Sequence, residues 1–135
     1  MMDSETLFEH GQKAVSGGFS MAIHAIGDRA NHEIINGLAQ IRQFEKEHNL
    51  PALRHRIEHV QILHPDDINR LAQLGIIASV QPIHATSDMD IADKYWGKRS
   101  AYAYAYHTLL QAGTAMAFGS DAPVESPNPF FGLHA

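Results

Sequence analysis

The chain has 135 residues with a formal net charge of −5, and 44% of them are hydrophobic, which is enough for one domain with a core and too little for two. The acidic balance argues against nucleic acids and anionic membranes as partners, and no apolar stretch is long enough to span a bilayer. There is no cysteine, so disulfides, thiolate metal sites and a thiol nucleophile are excluded. The N-terminal residues lack the pattern of a signal peptide, so we expect a cytoplasmic location.

The first half of the chain alternates helical and apolar-strand patterns. It predicts, in order, a helix at 3–16, a strand near 19–24, a helix near 29–48 and a second strand near 53–59. Gly17-Gly18 ends the first helix and Asp28 is expected to cap the second. The apolar stripe of the second helix predicts that its polar residues face water. These residues are Gln40, Arg42, Glu45 and Lys46.

The second half continues the same alternation. A helix is predicted from Pro65 to just before Gly75, because proline in the first turn and acids beside it favour a helix start. The other predicted elements are a strand near 76–81, an irregular stretch at 82–98, a helix near 99–112 and a strand near 114–119. Alternating strands and helices with right-handed crossovers predict an α/β fold, a parallel sheet with helices outside it.

Three of the predicted strands end in a residue that can bind a metal. His24 ends the first strand, His59 the second, and Asp121 follows the fourth in the turn Gly119-Ser120-Asp121. A single histidine at a strand end is usually structural, and Asp121 taken alone reads as a turn or cap residue. Repetition at the same topological point favours a metal site held by imidazole and carboxylate, as in a hydrolase built on parallel strands.

Four segments carry a resemblance to a known family. They are His24-Ala25-Ile26-Gly27-Asp28-Arg29-Ala30, Arg54-His55-Arg56-Ile57-Glu58-His59-Val60-Gln61, Ala78-Ser79-Val80-Gln81-Pro82 and Phe118-Gly119-Ser120-Asp121-Ala122-Pro123-Val124. In this order they resemble the amidohydrolase superfamily, and within it amidohydrolase family 3, which includes N-substituted formamide deformylases and proteins called exoenzyme regulatory proteins. The resemblance runs over about residues 19 to 135.

The resemblance implies a metal-dependent hydrolase on a (β/α)₈ TIM barrel, of which residues 1–135 would form a partial barrel domain. The four predicted parallel strands would be the fifth to eighth of the family, with the helices outside them. His24, His59 and Asp121 would be metal ligands, and Asp121 also the catalytic base and acid. The divalent metal would be zinc. The family's first-strand His-X-His pair and its fourth-strand ligand have no counterpart here, so we expect an incomplete site and an inactive isolated chain.

The implied reaction is hydrolysis of a non-peptide carbon–nitrogen bond in a small-molecule amide, cyclic amide or N-formyl substrate. His84, Asp88 and Trp96 are candidate substrate-binding residues, although a solvated loop or simple packing would explain them too. Glu58 precedes His59 and is expected to point to the opposite face of the strand.

The alternatives to hydrolysis are a non-catalytic regulatory or ligand-binding module on the same scaffold and, less well supported because no glycine-rich phosphate loop is present, a phosphate-binding barrel half. Four strands would also leave two open edges and an apolar inner face. We therefore expect a homodimer or larger assembly.

Overall fold

The computed structural model describes residues 3–135. Its strands are β1 (Ala22–Ala25), β2 (Arg56–His59), β3 (Ile77–Val80) and β4 (Met116–Phe118). Its helices are α1 (Ser4–Ser16), α2 (Asp28–Glu47), α3 (Ile68–Gln73), α4 (Pro82–Ser87), α5 (Met89–Trp96), α6 (Tyr106–Gln111) and α7 (Pro129–His134). Two 3₁₀ segments, Pro65–Asp67 and Gly97–Tyr102, lead into α3 and follow α5.

The four strands form one parallel sheet in the order β1-β2-β3-β4. Each observed strand lies within or overlaps the predicted run, so the predicted α/β fold is confirmed. Sequential parallel strands joined by helices are the arrangement of half of a (β/α)₈ barrel. The strand ends that carry His24, His59 and the turn to Asp121 therefore lie along one edge of the sheet.

One face of the sheet is covered by helices. The row Ile23–Ile57–Ala78–Met116, aligned by strand register, packs into the core cluster. The helices contribute the fully buried side chains of Leu7, Ile35, Leu38 and Ile41. This burial supplies the main favourable term for folding, at about 25 cal/mol per Å² of apolar surface.

The opposite face of the sheet is open. Its central row, again aligned by register, is His24–Glu58–Ser79–Ala117. Arg56 lies one step earlier along β2 and pairs with Glu58 through its Nε. The expectation of an apolar inner face is therefore wrong at its centre, where a charge pair and a histidine stand.

Three segments differ from the predicted elements. The stretch 82–98, predicted to be irregular, forms α4 and α5, with Pro82 at the first position of α4. The helix predicted near 99–112 is instead a 3₁₀ segment and the short α6, separated where Ala103 forms an isolated bridge to Ile62. A further helix, α7, follows β4. No helix among residues 3–135 is long and apolar enough to cross a membrane.

Glu45 does not face water, contrary to the expectation for α2. Its side chain is only 2% exposed and accepts a hydrogen bond from Arg42 Nη1 at 2.7 Å. It also contacts Nε2 of the fully buried His55 at 3.0 Å, and His55 Nδ1 accepts from the backbone N–H of Met21 at 3.0 Å. This buried network ties α2 to the beginnings of β1 and β2, at the end of the sheet away from the candidate site.

Candidate metal centre

Among residues 3–135, the side chains of His59, His84 and Asp121 come together at the carboxyl ends of the strands. Each offers one ligand atom, and these atoms all lie within 4.8 Å of one another. Nε2 of His84 is 3.5 Å from Oδ2 of Asp121, and the His59 and His84 rings lie 6.0 Å apart between centroids. Two imidazoles and one carboxylate are donors that suit a divalent metal with an open coordination position.

His24 lies beside this group. Its ring meets the His59 ring edge to face, with 4.5 Å between centroids. The structure therefore brings together two of the three predicted ligands, His59 and Asp121. It adds His84, and it leaves His24 outside the group with its ring against that of His59.

The backbone at His59 explains how its ring reaches this group. Strand alternation and register would place His59 with Ile57 and Ala25, on the face that the helices cover. Its φ is 75°, however, and Val60 follows at 49°. The left-handed conformation takes His59 out of the alternation, so that its ring lies against His24 from the open face. Such a conformation costs about 1–3 kcal/mol in a residue other than glycine, and it is concentrated at functional sites.

Asp121 is placed by the turn that follows β4. The N–H of Gly119 still donates to Val80 O at 3.0 Å, which continues the sheet pairing for one residue beyond the strand. Asp121 then takes a left-handed φ of 57°, and its carbonyl accepts from the Val124 N–H at 2.8 Å. The result is a carboxylate held at the tip of the strand and partly open to solvent.

The site is more buried at its imidazoles than at its carboxylate. His59 and His84 are each 8% exposed, whereas the Asp121 side chain is 38% exposed. Burial lowers the pKa of His59 below its ordinary value, and the neighbouring His24 adds to this, while the Asp121 carboxylate opposes it. A neutral imidazole is the form that binds a metal.

One nitrogen of the site is without a partner. Nδ1 of His59 is buried and makes no hydrogen bond among the described residues. Buried polar atoms are almost always satisfied, so an orphaned nitrogen on an imidazole of this group fits a ligand position. The donor set and this atom together fit a divalent cation.

His84 was predicted as a substrate-binding residue of an irregular loop, and the structure places it in the first turns of α4. Its Nδ1, on the side away from Asp121, lies 3.9 Å from Oε1 of Glu125. Sequence reasoning did not single out Glu125. The sequence signal for His84 was its position four residues after β3. The residues that follow each strand of a parallel sheet lie at the same edge of that sheet.

The other two candidate substrate residues lie behind this group. Asp88 accepts hydrogen bonds from the Tyr104 hydroxyl and from Gln61 Nε2. The Trp96 ring packs against Tyr104, with 6.1 Å between centroids. Both residues have contacts that a packing role explains.

Glu58 is not part of the cluster. Burial would raise the pKa of its carboxyl, but hydrogen bonds from Ser79 and Arg56 and the Arg56 charge hold that pKa below its usual value. Glu58 is therefore paired with Arg56 on the same strand. By strand register, Glu58 lies on the open face of the sheet together with His24. The register position of His59 is on the other face, as predicted.

The family described as "Amidohydrolase family" matches residues 1–135. The chain belongs to the amidohydrolase family. Among curated relatives, "Protein LONG AFTER FAR-RED 3" of Arabidopsis thaliana is 38% identical over 135 residues. "Putative amidohydrolase YtcJ" of Bacillus subtilis (strain 168) is 34% identical over 134 residues.

Two solved structures share the fold of this amidohydrolase segment. Both are described as uncharacterized metal-dependent hydrolases. That from Pyrococcus furiosus has a TM-score of 0.83 at 26% identity, and that from Pyrococcus horikoshii OT3 has a TM-score of 0.78 at 30% identity. Each comparison covers 98% of this chain. The chain spans about a quarter of each relative, from 23% to 26% of its length.

Proposed function

We propose that this chain supplies part of the active site of a metal-dependent hydrolase that cleaves non-peptide carbon–nitrogen bonds. That part lies at the carboxyl ends of its four strands. The observation that carries the proposal is the convergence of His59, His84 and Asp121, with one buried ring nitrogen of His59 left without a hydrogen bond. Membership of the amidohydrolase family supports it, as do the structural neighbours described as metal-dependent hydrolases.

His59 and Asp121 are the proposed metal ligands, with His24 and His84 as the imidazoles that complete or flank the set. Zinc is the proposed metal, because nitrogen and carboxylate donors without thiolates suit it. When bound, the metal would lower the pKa of a coordinated water towards neutrality. The low pKa of His59 keeps its ring neutral at such a pH and ready to act as a ligand.

Asp121 is the proposed general base and acid. It is the most exposed member of the cluster, so it can meet both water and substrate. Its carboxylate takes a proton from the attacking water as the water oxygen bonds to the carbonyl carbon of the substrate. The same carboxyl then gives that proton to the leaving nitrogen as the carbon–nitrogen bond breaks. No net proton is gained or lost by the protein in this sequence.

The proposed substrates are small amides, cyclic amides or N-formyl compounds. The resemblance of the four motifs to family 3 supports this class. His84 would lie beside such a substrate, because it is next to Asp121. Asp88 and Trp96 remain candidates for indirect support of the pocket, since their own side chains are engaged by Tyr104.

The rival proposal is a non-catalytic regulatory or ligand-binding module. It would explain the fold equally well, but it gives no reason for two buried imidazoles to face a carboxylate with one ring nitrogen unpaired. Zinc binding at these side chains separates the two proposals.

The test is a zinc titration of the purified chain, followed through the ring resonances of its histidines by NMR. We expect those of His59 and His84 to respond first. We also expect the affinity to be low, because the resemblance implies further ligands that have no counterpart among these residues. Asp121→Asn and His59→Gln should each weaken binding by about 10-fold or more. His10→Gln, on the exposed side of α1, is the matched control and should leave it unchanged.

Two results would contradict parts of this proposal. Zinc shifts spread evenly over exposed histidines, unaffected by Asp121→Asn, would remove the metal site and favour the rival module. Tight stoichiometric zinc, or amide hydrolysis by the isolated chain that Asp121→Asn abolishes, would instead show that the site is complete in these 135 residues.

A further inference from the structure

We propose that Tyr104 is a positioning residue for the candidate metal site, acting through a hydrogen-bonded group that we call the Tyr104 latch, made of Gln61, Asp88 and Tyr104. This inference rests on the proposed function, since it assigns the latch the task of holding His59 and His84 at their mutual distance.

The latch is a closed triangle of side chains. The Tyr104 hydroxyl donates to Asp88 Oδ2 at 2.8 Å, and Gln61 Nε2 contacts the same Oδ2 at 3.2 Å and the Tyr104 oxygen at 2.5 Å. Gln61 is 6% exposed, and Asp88 and Tyr104 are half-buried. Hydrogen bonds to a carboxylate are stronger than those between two neutral groups.

Two corners of the latch are each joined to one imidazole of the site. Gln61 lies two residues after His59 on the same chain segment. Asp88 lies one helical turn after His84, and its N–H donates to the carbonyl of His84 at 2.9 Å. Moving either imidazole away from the other would therefore stretch the triangle.

Tyr104 is the corner whose chain segment carries neither imidazole. Its backbone N–H donates to Gln61 O at 2.7 Å, so it holds Gln61 by the main chain and Asp88 by the side chain. Its own φ is 51°, a left-handed value for a residue other than glycine, and the Trp96 ring packs on it. Burial raises the pKa of the Tyr104 hydroxyl and the bond to Asp88 raises it further, so the hydroxyl remains a donor throughout the physiological range.

The carboxylate and the two imidazoles of the cluster are held in place by different contacts. Asp121 is held by its own turn after β4, whereas the segments of the two imidazoles are joined by the Tyr104 latch, in which the Tyr104 hydroxyl takes part in two of the three side-chain contacts. Removing the hydroxyl should therefore loosen the imidazoles and leave the carboxylate in place. Supporting residues of this kind typically change metal affinity by about 10–100-fold.

The test compares Tyr104→Phe with two controls in the full 135-residue chain. Tyr102→Phe makes the same chemical change at an exposed tyrosine two residues away. Glu45→Gln weakens the buried network at the other end of the sheet and serves as a control for lost stability alone. The measurements are the ring ¹⁵N–¹H spectra of His59 and His84 without metal, the zinc dissociation constant by NMR titration, and the thermal midpoint.

We expect Tyr104→Phe to shift or broaden the ring signals of both imidazoles and to raise the zinc dissociation constant by about 10-fold or more, with neither control doing so. Unchanged ring spectra, or a loss of affinity no larger than that of Glu45→Gln, would overturn the inference. A wild-type chain with no zinc response at these rings would instead overturn the proposed function. The metal-free spectra would then still decide whether Tyr104 positions the two rings.

Discussion

His55 and His59 are two buried imidazoles four residues apart that have opposite surroundings. Both have a pKa lowered mainly by burial. His55, however, uses both ring nitrogens, one towards Glu45 and one accepting from Met21 N–H, whereas His59 leaves Nδ1 without a partner. A ring with both nitrogens engaged is structural, and one with a free buried nitrogen is available to a ligand. This difference separates the two, although both lie in the same Arg54–His59 motif.

His55 should make the stability of the fold depend on pH. Burial lowers its pKa in the folded chain below the ordinary 6.5, and the Arg42 charge adds to this, while Glu45 opposes it. The unfolded chain then binds the proton first as pH falls, so this contribution to stability is complete above about pH 6.5 and is lost below it. Urea unfolding at pH 7.5 and 5.5 should show a smaller loss in His55→Gln, whose amide can still donate to Glu45 and accept from Met21. An equal loss in both proteins would contradict this role, and His10→Gln serves as the control.

The single residues show where sequence reasoning succeeds and where it stops. The proximity of His59 and Asp121 could be predicted, because residues at the carboxyl ends of parallel strands share one edge of the sheet. The role of Glu45 could not, because helical periodicity places it on the polar side of α2 and only the tertiary contact with His55 explains its burial. The left-handed φ of His59 is likewise invisible in a sequence, since it is imposed on a residue that does not prefer it.

The helices α1 and α2 cross closely through two glycines. A Cβ at Gly37 would lie 2.7 Å from Leu7 Cδ2, and one at Gly11 would lie 2.7 Å from Ile41 Cγ1 and overlap Cδ1 of the same side chain. Overpacking of this kind costs about 1–3 kcal/mol. It should exceed the gain of about 1 kcal/mol in helix propensity from glycine to alanine.

Gly11→Ala should therefore lower the free energy of unfolding, measured by urea denaturation. Gly132→Ala in α7 is the matched control, because nothing lies within 4 Å of its added Cβ. It should be neutral or slightly stabilising. If Gly11→Ala were as stable as Gly132→Ala, the close crossing of α1 and α2 would be wrong.

At the level of elements, β1, β3 and β4 were predictable because each lies in a mainly apolar run between turn residues, whereas β2 carries Arg56 and Glu58 and was placed by its position between two helical segments. The segment from Pro82 to Gln111 was not predictable, because its helices are short and its start, Pro82, reads equally as a helix start or a loop. The Ala-Tyr alternation in this segment gives no sign that the helix is interrupted at Ala103–Ala105. That interruption depends on the bridge to Ile62 and on the Tyr104 latch. Long-range contacts of this kind decide short elements more than local propensity does.

The two outer strands of the sheet are each paired along one edge only. In the part of the chain that the structure describes, β1 and β4 are the edge strands. Large apolar side chains stand exposed beside them, including Phe19 at 70%, Phe118 at 60% and Phe130 at 71%. Unpaired strand edges with exposed aromatic residues are templates for another chain. The open face between them carries Arg56 and Glu58, so association is expected at the edges and along α7 and not across the centre of the face.

We therefore expect the purified chain to form a homodimer or a larger assembly in which β4 and α7 are covered. Sedimentation at micromolar concentration should give at least twice the 14.9 kDa mass of the chain. Phe130→Asp should shift the population towards monomer, because a charge placed in an apolar interface must be desolvated without a partner. Ile91→Asp, a similar change at an exposed residue of α5, should leave the assembly intact. A single monomeric species in the wild-type chain would show that these aromatic residues tolerate solvent. Equal dissociation by both variants would place the interface away from β4 and α7.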